Sequence, residues 1–125
     1  MRILLADHRS RVRFAMRALL EQRPGWDIVG EAADAKSLIA QVGSSCPDVV
    51  LLDWKLRGLM ADSLLTLRQA CPGMHVIALS GRPEEREAAL EAGVDAFVSK
   101  VDSPERLLAT IDNYNGGISD VGNAE

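Results

Sequence analysis

Residues 49–53, Val49-Val50-Leu51-Leu52-Asp53, are four apolar side chains in a row closed by a carboxylate. A strand with one wet face alternates apolar and polar residues, whereas a strand covered on both faces is apolar throughout. The stretch therefore predicts a buried strand of a parallel sheet that delivers an acid to its carboxyl end. Working outward, short apolar and partly β-branched runs recur at residues 3–6, 28–29, 76–79 and 96–98. Helical spacing fills the intervals: Val12, Met16, Leu19 and Leu20 share one face, with Arg11, Arg13 and Arg17 on the others. Asp34 is placed to cap a helix that stops at Gly43, and Pro83 with Glu84 and Glu85 opens one that stops at Gly93. Ser103-Pro104-Glu105 starts a last helix through Leu107, Leu108 and Ile111. Parallel strands need crossovers, and those are right-handed, so strict alternation predicts a doubly wound α/β sheet.

Composition sets the outer bounds. A chain of 125 residues, 47% hydrophobic and 26% charged, is the size and make-up of one globular domain. Its longest apolar runs fall far short of the roughly 20 residues that span a bilayer. The N-terminus reaches Asp7 too soon for a secretory signal, so the expected compartment is the cytoplasm. A net charge of −4 argues against a nucleic-acid coat. Cys46 and Cys71 make neither a disulfide framework nor a zinc site, and both are read as reduced, structural thiols ahead of a proline. After Tyr114 the chain turns to Asn, Gly, Ser and Asp. Residues 1–114 are therefore expected to form the domain, and 115–125 a flexible tail or the stub of a linker.

In a doubly wound sheet the working site lies at the carboxyl ends of the strands. The first strand ends at Asp7-His8, the third at Asp53, the fourth at Ser80-Gly81, and the fifth runs out to Lys100. Any one of these alone reads more readily as a helix cap or a solvated loop residue. Their coincidence at four strand ends is the stronger observation.

On these residues the chain resembles the receiver domain of two-component response regulators. Ile3-Leu4-Leu5-Ala6-Asp7, Val49 to Asp53, Val76-Ile77-Ala78-Leu79-Ser80-Gly81 and Ala92 to Lys100 stand in the order and spacing of that family. Glu31-Ala32 and Arg17 to Glu21 look most like members with helix-turn-helix DNA-binding outputs. The resemblance implies a three-layer, flavodoxin-like (βα)5 sheet, all parallel, in strand order 2-1-3-4-5. It implies a bacterial cytoplasmic phospho-acceptor rather than an enzyme, taking a phosphoryl group from a sensor histidine kinase or phosphotransfer protein onto Asp53. Ser80, Gly81 and Lys100 would contact the phosphoryl group, and Phe97 stands at the aromatic switch position, where a plain core aromatic is the other reading. Asp7, Asp53 and the backbone carbonyl of Lys55 would hold Mg²⁺ or Mn²⁺. On helix four, Ala88, Ala89 and Ala92 among acids read either as part of a homodimer face with strand five and helix five or as ordinary helix-forming filler, and DNA contact is expected only through an output domain.

The sequence departs from that pattern at His8, where a second metal-binding acid is expected. Mg²⁺ prefers oxygen, so the cation should bind weakly. This leaves two readings: a phospho-accepting switch with altered metal dependence, or a pseudo-receiver that works as a phosphorylation-independent interaction module. Val101 follows Lys100 in place of the usual proline, and Arg57-Gly58 replaces a Pro-Gly pair, which is expected to loosen that loop and put a cation near the acceptor. A flavodoxin-like cofactor binder is disfavoured, because Asp7-His8-Arg9-Ser10-Arg11 is no glycine-rich phosphate loop. Charge is unevenly spread, at +2 over residues 1–42 and −6 over residues 82–125. Arg9, Arg11, Arg13 and Arg17 give helix one a basic face, read as kinase docking or simply as a solvated surface.

Overall fold

The computed structural model describes residues 1–114, so the tail expected at 115–125 lies outside the described residues. The elements follow in the order β1 (Arg2–Ala6), α1 (Ser10–Leu20), β2 (Asp27–Ala32), α2 (Ala35–Ser45), β3 (Val49–Asp53) and α3 (Ser63–Ala70). After them come β4 (His75–Ser80), a 3₁₀ turn (Pro83–Glu85) leading into α4 (Arg86–Ala92), β5 (Ala96–Ser99) and α5 (Pro104–Asp112). The five strands form one parallel sheet in the order β2-β1-β3-β4-β5, as expected.

The unbroken apolar runs are explained by cover on both faces. Alternate residues of each strand serve opposite layers. Leu4, Val50, Leu52, Val76 and Ala78 pack with Leu38, Val42, Leu64, Leu67 and Ala89 from α2, α3 and α4. Ile3, Leu5, Leu51, Ile77 and Val98 pack with Met16, Leu20, Leu107 and Ile111 from α1 and α5. Truncating any of these buried leucines or isoleucines to alanine would cost about 2–5 kcal/mol.

Caps set the boundaries. The Asp34 carboxylate accepts the Ser37 N–H at 2.8 Å, as its position predicts. α2 runs past Gly43 to Ser45, because its left-handed stop is Cys46 at φ 42°, not the glycine. Gly93, at φ 111°, does end α4. Ser103 stands at the N-cap of α5, but its side chain makes no capping bond.

The cysteine reading is corrected. Cys46 and Cys71, the residues that terminate α2 and α3, are joined by a disulfide with Cα atoms 5.6 Å apart. The loop after β3 is also tighter than Arg57-Gly58 suggested. Asp34 and Arg57 form a β-bridge, Ala35 N–H donates to the Arg57 carbonyl at 2.8 Å, and Gly58 takes φ 84° beside Ala35. No helix among the described residues is long and apolar enough to cross a membrane.

Candidate functional site

β1, β3, β4 and β5 are neighbours, so the residues that end them meet at one edge. Backbone hydrogen bonds carry the sheet past its formal ends: Asp7 N–H donates to Ala32 at 3.0 Å, Trp54 N–H to Leu79 at 2.8 Å, and Lys100 N–H to Ser80 at 2.7 Å. Asp7 is fully buried and Asp53 2% exposed, whereas His8 above them is exposed. Together with Arg9, Lys55, Ser80, Gly81, Arg82 and Lys100, His8 and Asp53 line a cleft of about 540 Å³. The predicted residues Asp7, His8, Asp53, Ser80, Gly81 and Lys100 are thus assembled in one place.

Two buried carboxylates side by side need positive charge. The Lys100 ammonium supplies it, lying 3.0 Å from Asp7 Oδ2 and 3.4 Å from Asp53 Oδ1. It does so across a trans peptide to Val101. Arg9 adds a second cation, its backbone N–H at 2.8 Å and Nε at 3.3 Å from Asp7 Oδ1. Burial pushes the Asp7 carboxyl up, but the hydrogen bonds from Arg9 and Lys100 outweigh it and leave Asp7 below the usual range.

Asp53 is treated differently. Its Oδ1 accepts the Lys55 N–H at 3.1 Å. Its Oδ2 is buried with no hydrogen-bond partner among the described residues, and His8 Nδ1 lies 3.7 Å from it. His8 Nδ1 also lies 3.9 Å from Asp7 Oδ1. Ligand atoms of Asp7, His8 and Asp53 all fall within 4.8 Å of one another, a spacing at which one cation can touch all three. The orphaned Oδ2 fits such a ligand. The donor set of two oxygens and one nitrogen is softer than Mg²⁺ prefers and closer to what Mn²⁺ tolerates.

The hydroxyl of Ser80 donates to the Glu85 carboxylate, whose other oxygen is 3.0 Å from the Lys55 ammonium. Arg82 N–H in turn donates to Ser80 Oγ at 3.0 Å. The Ser80 hydrogen bond, then Lys55, holds the Glu85 carboxyl below its usual value. Sequence reasoning placed Glu85 only in a helix start, and its approach depends on the 3₁₀ turn that brings residue 85 back over residue 80.

Three other expectations are revised. Arg57 is exposed and does not line the cleft. Ala89 is fully buried in the core, so the expected flat face of Ala88, Ala89 and Ala92 does not exist as drawn. The basic face of α1 is smaller than its charges suggest: Arg13 and Arg17 both bind Glu31, at 2.8 Å each, and Arg9 is committed to Asp7. Arg11 remains without an ion pair among the described residues. Phe97 is buried against the α4 layer, its carbonyl accepting from Arg86 at 3.3 Å.

Comparison with known proteins gives the family. Nitrate/nitrite response regulator protein NarP of Escherichia coli is 33% identical over 112 residues, 87% of this chain and 52% of NarP. Phosphate regulon transcriptional regulatory protein PhoB of Klebsiella pneumoniae is 36% identical over 115 residues, 88% of this chain and 49% of PhoB. A two-component response regulator of the LuxR family from Aurantimonas superposes with a TM-score of 0.81 at 31% identity, covering 89% of this chain and 81% of that one. The chain spans about half the length of the curated relatives it matches. The family model for the response regulator receiver domain matches residues 3–112, and the chain belongs to that family of bacterial two-component signalling modules.

Proposed function

We propose that this domain accepts a phosphoryl group on Asp53 from a phosphohistidine of a sensor kinase or phosphotransfer protein. The observation that carries this reading is Asp53 Oδ2, a buried carboxylate oxygen with no hydrogen-bond partner among the described residues, in a cleft lined by cations. A nucleophile needs a free lone pair, and here one is kept free while Lys100 and Lys55 hold the other oxygen. An Asp53 oxygen would bond to phosphorus, the phosphorus–nitrogen bond would break, and the imidazole would leave with its electron pair and take up a proton. Lys100 would then follow the charge onto the phosphoryl oxygens, to which Ser80 and the Gly81 N–H would also donate. Asp7, His8, Asp53 and the Lys55 carbonyl would hold a divalent ion. When bound, Mg²⁺ or Mn²⁺ supplies the remaining positive charge for the transferring group.

Signal output would run through Ser80. Its present partner is Glu85, on the turn that leads into α4, so drawing the hydroxyl toward a phosphoryl group would disturb that turn and the packing of Phe97 beside it. Exposed Arg11 and Phe14 on α1, next to the site, suit a kinase or phosphotransfer partner. A homodimer through α4, β5 and α5 would rest on Ala88 and Ala92 without Ala89. Transcriptional output would need a DNA-binding domain beyond these residues, and the setting would be cytoplasmic.

One observation favours the pseudo-receiver. The Asp7 charge is already answered by Arg9 and Lys100, and His8 stands where an acid would recruit metal. The protein and its Asp53→Asn variant, each incubated with acetyl phosphate in Mg²⁺, in Mn²⁺ and without metal, separate the two. Intact mass should show one phosphoryl group on the native protein in at least one metal and none on the variant. No adduct under any condition would leave the interaction module as the account.

A further inference from the structure

We propose that Cys46–Cys71 is an exchangeable disulfide in which Cys46 takes the incoming low-molecular-weight thiol and Cys71 is the resolving sulfur. The pair lies at the amino edge of the sheet, just before β3 and β4, at the opposite end from Asp53, and the inference is independent of phosphorylation.

The two sulfurs live in different surroundings. Cys46 is exposed, whereas Cys71 is only 4% exposed and belongs to the core between the sheet and α2. Thiol–disulfide exchange proceeds by in-line attack of a thiolate on one sulfur, so access decides which sulfur is attacked. A thiol arriving from water meets Cys46 first. The backbone gives a second reason to assign Cys46 a chemical role. It holds a left-handed conformation, φ 42°, at the stop of α2, where glycine or asparagine would be easier. The side chain at this position joins the end of α2 to Cys71 at the end of α3.

The step balances. The attacking thiolate forms a bond to Cys46 Sγ, the Cys46–Cys71 bond breaks, and the electron pair leaves on Cys71. The proton given up by the incoming thiol ends on Cys71. Its sulfur lies 3.2 Å from the Val42 carbonyl, so the released thiol has an acceptor waiting in a buried setting. Reversal needs Cys71 to attack the mixed disulfide at Cys46, which the 5.6 Å Cα separation allows without moving either helix far.

The test uses the whole chain, purified without reductant. Alkylation and intact mass should show no free thiol. In graded glutathione buffers quenched with acid, peptide mapping should place the trapped glutathione on Cys46 over Cys71 by at least about tenfold. As a second measurement, oxidised glutathione should modify native Cys71→Ala at Cys46 at least about tenfold faster than native Cys46→Ala at Cys71, a gap that closes in urea. Two free thiols in the air-oxidised protein, or glutathione carried mainly by Cys71, would overturn the proposal.

Discussion

His8→Asp is the substitution whose outcome follows most closely from the site geometry. His8 Nδ1 sits 3.7 Å from Asp53 Oδ2 and 3.9 Å from Asp7 Oδ1, so an aspartate there brings a third carboxylate toward two that are already buried. Without metal, two unit charges about 4 Å apart near a protein surface repel by roughly 4 kcal/mol before screening. The side chain of residue 8 is 39% exposed, which lets water take most of that, leaving a loss of about 1–2 kcal/mol. For a domain of this size that lowers the melting temperature by about 4–8 °C. With Mg²⁺ the sign reverses. A hard oxygen replaces a nitrogen in the coordination shell, and since changes one shell further out are worth about 10–100-fold in metal affinity, this one should be worth at least as much. The assay is a melting curve for each protein across a Mg²⁺ titration, with fluorescence as a second readout, because Trp54 directly follows the acceptor. The curves should cross, the variant being the less stable protein without metal and gaining more from each increment of Mg²⁺. Equal Mg²⁺ affinity in the two proteins would refute the argument that His8 weakens the metal site.

The remaining expectations concern the supporting structure. Hydrogen bonds from Arg17 and then Arg13 hold the Glu31 carboxyl below its ordinary value of 4.5, so its contribution to stability is complete above that pH and is lost as the pH falls through the depressed native value. Glu31→Gln should therefore flatten the acid limb of a melting-temperature profile below about pH 4.5, and an unchanged limb would show that the arginines do not act through it. Glu85→Gln weakens the hold on Ser80 and Lys55, and phosphorylation by acetyl phosphate should quicken by about fivefold, corresponding to about 1 kcal/mol of competing hydrogen bond. A slower reaction would mean that Glu85 assists the transfer. Reducing the disulfide, which closes a loop of 25 residues, should lower unfolding stability by about 3.5 kcal/mol in urea titrations with and without reductant. Coincident curves would show that the bond contributes little.

The fold was legible because both faces of the sheet are covered. Val49 to Leu52 could be read as a strand from four residues, since each finds an apolar layer on its own side. β2 was harder. It is an edge strand whose Gly30 and Glu31 are only half-buried, so its apolar signal stops at Val29 while its pairing with β1 continues to Ala32. The site residues were legible for a related reason: a strand fixes where its last residue and the next one go, and Asp53 and Ser80 end their strands while Asp7 and Lys100 directly follow theirs. His8 could be recognised as a departure but its reach toward Asp53 could not, because that distance is set by a loop.

Glu85 was hidden by the same difficulty, since nothing in Pro83-Glu84-Glu85 distinguishes a solvated first turn from one that folds back on Ser80. The cysteines did leave a signal. Each precedes a proline, Cys46 three residues before Val49 and Cys71 four before His75, and Val49 and His75 are register partners in adjacent strands. Reading the two Cys-Pro pairs against a parallel register would have brought them together.

The central claim is that Asp53 is the residue that takes the phosphoryl group. Borohydride reduces an aspartyl phosphate to homoserine and leaves a free aspartate untouched. Treating the protein with acetyl phosphate and Mg²⁺ or Mn²⁺, reducing it, and mapping its peptides reads the acceptor directly. The account predicts homoserine at position 53 and at no other aspartate. Conversion at a different carboxylate, or none in either metal, would contradict it.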